Sequence, residues 1–201
     1  MKKICICGGG SLGHVIAGYL SANGKATVSI LTNHPTAWQN KIEICVPDNG
    51  EMLIGNIACV SANPAEALLD AEIVLLCLPG FLIKDELIKI RDFINSGTYV
   101  GSVFSSTGFF FEALKLLNED IPLWGFQRVP FISRIKEYGH SASLLGYKGC
   151  YHIAVERDTD ANKELFRYWV ENSFDRPVTL LKNYLEASLT NSNPLLHTAR
   201  L

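Results

Sequence analysis

Three glycines near the N-terminus have the type and spacing that could do chemistry. Gly8, Gly10 and Gly13 match the pattern G-x-G-x-x-G, and an apolar run that predicts a buried strand precedes them. In such a turn the first glycine makes the tight bend, the second lets a pyrophosphate approach the backbone, and the third lets the next helix pack closely. Without this setting the triplet would equally suit a plain turn. The residues predicted to hold a dinucleotide here are Gly8, Gly10, Ser11, Leu12 and Gly13.

The elements that must position this turn follow from the alternation of apolar strand-like runs and helical patterns. This alternation predicts a doubly wound, mostly parallel α/β sheet of Rossmann type. Two pairs of β-rich runs break it: 42–60, expected to form a hairpin flap at the sheet edge, and 141–155, expected to form a hairpin or two adjoining strands. The predicted strands are 3–7, 26–31, 57–61, 71–78, 99–104, 121–126 and 177–181, and the predicted helices are 12–22, 65–69, 81–93, 109–117 and 161–172.

The end of the second predicted strand is where a dinucleotide fold distinguishes its cofactor. An acidic residue there holds the ribose 2′-hydroxyl of NAD, and a basic one accepts the 2′-phosphate of NADP. This chain has Thr32, Asn33 and His34 at that place, with neither Asp, Glu nor Arg. The pattern therefore favours NADP over NAD, with these three residues as the contacts. For His34 the alternative is an exposed loop residue that Pro35 holds in place.

Three later turns are expected at the carboxyl edge of the sheet, where open α/β sheets bind ligands. Leu78 and Pro79 are predicted to line the ribose side of the cofactor, although an ordinary turn explains them as well. Ser105 lies in a polar loop that could contact the cofactor or cap a helix. Gln127 and Arg128 are predicted to bind a substrate carboxylate, because a guanidinium grips both oxygens. A surface arginine without a ligand is the alternative.

Composition excludes several classes of function. The formal net charge of −2 and the scattered lysines and arginines argue against nucleic acid or an anionic membrane surface as a partner. With no signal-peptide pattern and no apolar run of membrane-spanning length, a cytoplasmic protein is expected. The six cysteines form no C-x-x-C pair and are expected to be buried reduced thiols, and the five histidines lack metal-ligand spacing, so no metal site is predicted.

The last residues predict a helix that begins and then stops. Asn193-Pro194 is typical of a helix start, and an amphipathic pattern follows to Leu201. A helix that ends in its second turn has little to stabilise it. The expected organisation is therefore a nucleotide-binding domain over 1–190 and, over 191–201, the start of a second domain.

Several segments together resemble the octopine/nopaline (opine) dehydrogenase family. The glycine loop is shared with many dehydrogenases, whereas two of the other runs are much more specific. The resemblance spans the whole chain, and the segments that carry it are GGGSLGH (8–14), LTNHP (31–35), GFQRVPF (125–131), LGYK (145–148) and NPLLHTARL (193–201), of which QRVPF and NPLLHTARL are the specific ones.

The resemblance implies that this chain is the N-terminal NAD(P)-binding domain, and that an all-helical substrate and dimerisation domain follows in a full-length enzyme. It implies NAD(P)H-dependent condensation of an amino acid with a 2-oxo acid, and a homodimer formed through the helical domain. His197 matches the catalytic histidine of the family, a general acid or base. The chain departs from the family where an arginine is common after the second strand. The isolated chain is expected to be nearly inactive.

Two other hypotheses remain open at this stage. A hydroxy acid dehydrogenase of the 6-phosphogluconate or ketopantoate reductase type would keep the fold and use a lysine in the helical domain. A stand-alone dinucleotide-binding sensor would have no catalysis, but the apolar residues Leu195, Leu196 and Leu201 would then lack an evident partner.

Overall fold

The computed structural model describes residues 1–191 of the chain, and these residues form one eleven-stranded sheet with helices on both faces. The strands are β1 (Lys2–Cys7), β2 (Ala26–Leu31), β3 (Lys41–Val46), β4 (Glu51–Ser61), β5 (Ile73–Leu76), β6 (Tyr99–Ser102), β7 (Leu123–Phe126), β8 (Phe131–Glu137), β9 (Ser141–Tyr147), β10 (Tyr151–Glu156) and β11 (Val178–Leu180). The helices are α1 (Ser11–Ala22), α2 (Pro64–Ala67), α3 (Gly80–Ile90), α4 (Phe109–Leu116), α5 (Asp160–Phe174) and α6 (Tyr184–Leu189), with short 3₁₀ turns at 35–37, 91–93 and 105–107.

Six parallel strands form the centre of the sheet, in the order β4-β2-β1-β5-β6-β7. Numbered by their sequence among these six, the order is 3-2-1-4-5-6, which is that of a Rossmann fold. The order reverses between β1 and β5. The predicted fold class is thus confirmed, and the switch point lies where the glycine loop leaves β1.

Three strands extend this centre beyond β4. The long β4 pairs with β2 through its second half and, through its first half, antiparallel with β3. β9 then pairs with β3, and β8 closes the sheet. The hairpin predicted over 42–60 exists, but its prediction as a flap at the sheet edge is wrong, because β9 and β8 continue the sheet past it. The strand predicted over 57–61 is the second half of β4.

Of the two alternatives predicted over 141–155, the hairpin does not form, and the run contains two strands that are consecutive in the chain. β9 and β10 follow one another in the chain, yet β9 pairs with β3 and β8 while β10 pairs with β7 and β11. The hairpin partner of β9 is β8, which the prediction missed although its alternation of buried and exposed residues is that of a half-buried strand. The local sequence pattern could not show whether β9 forms its hairpin with β8, which precedes it in the chain, or with β10, which follows it.

Two apolar layers hold the helices to the sheet. On one face α1 and α5 cover alternate strand residues such as Ile4 and Ile6, and on the other α2, α3, α4 and α6 cover Cys5 and Cys7. The face with α1 is also covered by residues of β3, β8 and β9, so these extension strands share one core with the Rossmann centre. Helix α1 therefore packs against both the Rossmann centre and the extension strands.

Candidate functional site

The glycine loop connects β1 to α1 through two close backbone approaches. Gly8 has φ +117°, and a Cβ there would lie 2.8 Å from the carbonyl oxygen of Cys77 in the turn after β5. A Cβ at Gly13 would lie 2.4 Å from the carbonyl oxygen of Gly8. The first and third glycines therefore have the conformational roles that the pattern predicts.

Gly10 faces open space in front of the helix. Apart from Gly10 itself and its two chain neighbours, no atom of residues 1–191 lies within 4 Å of the place where a Cβ at Gly10 would be, and no described side chain caps the start of α1. The first backbone N–H groups of a helix have no partner inside the helix, and together with the helix dipole they favour an anion. Space, free donors and positive potential thus fit the pyrophosphate of a dinucleotide at this point.

Gly9, which lies between the predicted glycines, is constrained by a residue from far along the chain. Its Cβ would lie 2.3 Å from the hydroxyl oxygen of Tyr138, in the turn between β8 and β9. That hydroxyl also lies 3.3 Å from Oγ1 of Thr32 at the end of β2. Sequence reasoning missed Tyr138, since only the pairing of β8 with β9 brings it to the glycine loop.

His14 joins the glycine loop to the same turn. Its Nδ1 donates to the carbonyl oxygen of Gly10 at 2.9 Å, and its Nε2 accepts from the backbone N–H of Gly139 at 2.8 Å. The two bonds define a neutral ring with the proton on Nδ1. The ring is fully buried and packs on Trp38, and burial lowers its pKa, although the Gly10 carbonyl acts in the opposite direction. His14 is therefore a neutral side chain that holds the glycine loop against the turn between β8 and β9.

A small depression of about 170 Å³ lies on one side of the glycine loop, at the end of β2. The predicted cofactor residues Thr32, Asn33 and His34 all line it. α3 adds Glu86 and Lys89, charged groups that the end of β2 lacks. Burial raises the pKa of Glu86, and the nearby Lys89 ammonium partly offsets this. Because α3 is remote in sequence from β2, inspection of the strand end alone could not find these charges.

A large cavity of about 740 Å³ lies on the other side of the loop, at the switch point of the sheet. The predicted residues Gly10, Ser11, Leu12, Leu78 and Pro79 line it. The turn after β6 contributes Ser106 and Thr107, and the segment 129–134 forms a wall that the sequence prediction did not include. Leu78 lines both the cavity and the small depression.

Ser105 is placed differently from its prediction. It is fully buried, it lines neither of these two depressions, and a Cβ on Gly125 of β7 would lie 2.6 Å from its hydroxyl oxygen. Its hydroxyl lacks a hydrogen-bond partner among the described residues. Helix α4 begins at Phe109, with Gly108 as its N-cap residue and no side-chain cap among the described residues, so the capping alternative for Ser105 does not hold either. The neighbours Ser106 and Thr107 are the polar residues of this turn that reach the cavity.

Gln127 and Arg128 lie apart from the large cavity. They line a separate depression of about 320 Å³ with Lys148 and His152, and Nε2 of Gln127 donates to Oγ1 of Thr190 at 2.6 Å. Their role in binding a carboxylate stays a prediction. Of the described residues that line the large cavity, Arg134 alone is charged. His197, the residue matched to a catalytic histidine, lies outside the described residues, as does the rest of 192–201.

Residues 1–191 also lack the features of two other classes of site. No helix there is long and apolar enough to cross a membrane. In the same range no group of three or more His, Cys, Asp or Glu side chains is arranged to hold a metal ion.

Fold and site together define a Rossmann-type domain with an open glycine loop at its switch point. No known family profile matches the sequence. The chain is 28% identical over 214 residues to the uncharacterized protein y4xO of Sinorhizobium fredii, covering 99% of this chain and 55% of that protein. It is 27% identical over 177 residues to the tauropine dehydrogenase of Arabella iricolor, covering 81% and 45% of the two chains.

Among solved structures, octopine dehydrogenase in complex with NADH and agmatine superposes with a TM-score of 0.80 at 19% identity, over 93% of this chain and 50% of that one. The chain thus spans about half the length of the curated relatives it matches. The resemblance to opine dehydrogenases is confirmed: the chain is related to them, and its coverage fits their N-terminal domain.

Proposed function

We propose that this chain is the dinucleotide-binding part of an NAD(P)H-dependent dehydrogenase of opine type. The observation that carries the proposal is the open space in front of Gly10, at a helix start that faces the large cavity. Relationship to tauropine and octopine dehydrogenases along most of the chain supports the reaction class. The reaction is reductive condensation of an amino acid with a 2-oxo acid, or its reverse.

Different residues around the loop bind different parts of the cofactor. The start of α1, with Gly10, Ser11 and Leu12, holds the pyrophosphate, while Thr32 and its neighbours contact the adenosine ribose in the small depression. The large cavity takes the other end of the cofactor and the reacting groups. When bound, the nicotinamide supplies the hydride, and the protein supplies orientation and a site that excludes water.

Arg134 is the described residue best placed to attract a substrate carboxylate, because it brings the positive charge to a cavity whose other described lining residues are uncharged. A guanidinium can bind both oxygens of a carboxylate. The predicted alternative, Arg128 with Gln127, lies in a separate depression. We therefore assign the carboxylate contact in the large cavity to Arg134.

The remaining parts of the proposal rest on the family resemblance. His197 acts as the general acid or base, since a histidine pKa lies near neutral pH. Residues 1–190 form the cofactor domain, and a helical domain that begins at 191–201 completes the substrate site and forms a homodimer. The isolated chain then binds the cofactor and turns over little. Absence of Asp, Glu and Arg after β2 favours NADP.

Calorimetry on the 201-residue chain tests the first step. Gly10→Val fills the open space, and we expect the affinity for NADPH and NADH to fall about a hundredfold, which is about 2.8 kcal/mol. The matched control is Gly149→Val, because a Cβ at Gly149 also has no described neighbour within 4 Å and the site lies in a remote loop. Equal binding by wild type and Gly10→Val would contradict the proposal.

The reaction itself is tested in a chimera in which residues 1–201 replace the matching half of tauropine dehydrogenase. We expect nicotinamide oxidation that requires both an amino acid and a 2-oxo acid, with the N-(carboxyalkyl) amino acid as the product detected by mass spectrometry. Oxidation with a 2-oxo acid alone, giving a hydroxy acid, would instead support the ketopantoate reductase type of activity.

A further inference from the structure

The small depression is lined by a positively charged side chain, Lys89, which belongs to α3 and not to the end of β2. Nζ of Lys89, on α3, lies 3.5 Å from Oδ1 of Asn33. Both residues line the depression, together with Thr32 and His34. Asn33 is exposed, Lys89 is partly buried and the contact between them is exposed, so the ammonium lies beside the strand end at the protein surface. A positive charge is thus held at the mouth of this depression.

The position of Asn33 in the fold says what that charge can contact. Asn33 follows the last residue of β2, Leu31, by two positions, and this is where Rossmann folds contact the 2′ position of the adenosine ribose. Many such folds place an arginine there to accept a 2′-phosphate. Here the side chain that a lysine contacts is an amide, and the cation comes from the neighbouring helix.

Glu86 is the competing candidate for the contact with the ribose, because a carboxylate binds ribose hydroxyls. It lies one helical turn before Lys89 and also lines the depression. Within residues 1–191, Glu86 makes no hydrogen bond to the loop 32–34, whereas Lys89 contacts Asn33 directly. Of the two charged residues, Lys89 is therefore the one that the hydrogen bonds place at the end of β2.

We infer that Lys89 is the residue by which this chain recognises the 2′-phosphate of an adenine dinucleotide, with Asn33 holding the ammonium in place. The inference rests on the proposed dinucleotide function and adds the specificity determinant to it. A phosphate on the ribose replaces Asn33 as the principal partner of Nζ and gains a charge-assisted hydrogen bond. Thr32 and His34 supply further polar contacts from β2. The chain then prefers the phosphorylated cofactor although it has no arginine after β2.

The test measures binding of NADPH, NADH, adenosine 2′,5′-bisphosphate and AMP to the 201-residue chain by calorimetry. We expect wild type to bind NADPH about tenfold more tightly than NADH, about 1.4 kcal/mol. Lys89→Gln should remove most of that preference and leave NADH binding within about twofold. The control is Lys84→Gln, an exposed lysine of the same helix that does not line the depression, and it should change nothing.

A further variant, Glu86→Gln, separates the two candidates for this contact. It should leave NADPH binding equal or tighter, because it removes a negative charge near the phosphate. If it weakens NADH binding while Lys89→Gln leaves the ratio of the two cofactors unchanged, Glu86 makes the contact and the inference about Lys89 is wrong, although the proposed function stands. Failure of wild type to bind any of the four ligands would overturn both.

Discussion

The small depression and the large cavity lie on opposite sides of one glycine loop, and they differ in chemistry. The small one takes its character from polar residues at the end of β2 and from two charged residues of α3. The large one is mostly apolar, and among its described lining residues Arg134 carries the charge. A polar, charged depression distinguishes one cofactor from another, whereas an apolar cavity excludes water from reacting groups and strengthens electrostatic contacts.

The two regions nevertheless share a wall that the Rossmann centre does not provide. The β8–β9 hairpin gives Tyr138 to the small depression and residues 131–134 to the large cavity. His14 fastens this hairpin to the glycine loop through Gly139. The difference between the regions therefore depends on a single added element, and variants can disturb both sides or one.

The largest effect is expected from Gly13→Ala, which should damage both sides. The added Cβ would lie 2.4 Å from the backbone oxygen of Gly8, and a backbone atom cannot move aside as a flexible side chain can. We expect the free energy of unfolding to fall by about 3 kcal/mol, as for overpacking in a core. Denaturant titration measures this, with Gly149→Ala as the control that should cost less than about 0.5 kcal/mol. Equal stability of the two variants would show that α1 does not need this close contact.

His14→Phe should loosen the shared wall while keeping a ring of similar size. It leaves the backbone N–H of Gly139 without its partner, and a buried unsatisfied group costs about 2 kcal/mol. The carbonyl of Gly10 loses the imidazole donor but keeps the backbone N–H of residue 14. We expect ligand binding on both sides of the loop to weaken, together with a fall in the free energy of unfolding. Loss on one side alone would mean that the hairpin is not a shared wall.

The pH dependence of stability gives a second test of His14. Burial lowers its pKa in the folded chain, so as pH falls below the ordinary histidine value of about 6.5 the unfolded chain binds a proton that the folded chain does not. The stabilising contribution of the neutral ring is present above that pH and is lost as pH falls towards the lowered value. We expect wild type to lose more stability than His14→Phe between pH 7 and pH 5, measured by denaturant titration. Parallel curves would contradict a buried neutral His14.

The smallest effect, and the one that separates the two regions, is expected from Arg134→Gln. Removing the charge from the large cavity should weaken binding of a 2-oxo acid to the NADPH-loaded chain about tenfold, the value of one charge-assisted contact. Affinity for NADPH itself should stay within about twofold, because the small depression is untouched. Arg128→Gln is the matched control in the separate depression, and a larger effect there would return the carboxylate contact to the original prediction.

How much the sequence could predict differs along the chain for a physical reason. Local signals, such as the glycine turn and the buried parallel strands, depend on neighbours within a few residues, and the structure has these elements close to where they were predicted. Both strands of the run 141–155 were predicted, but whether they pair with each other was left open, because strand pairing is decided by partners remote in the chain. The turn that contains Ser105 was predicted correctly. Which hydroxyl groups of that turn reach the cavity, however, depends on packing against β7.

The sequence by itself determined the Rossmann-type fold class, the glycine loop and the relationship to opine dehydrogenases, because these reside in short motifs and in the periodicity of single elements. Only the tertiary structure decided which residues surround the loop. Tyr138, His14 with Gly139, Lys89 with Asn33, and Arg134 come together because β8 pairs with β9 and α3 packs beside the end of β2. Such contacts join residues dozens of positions apart, and no local pattern encodes them.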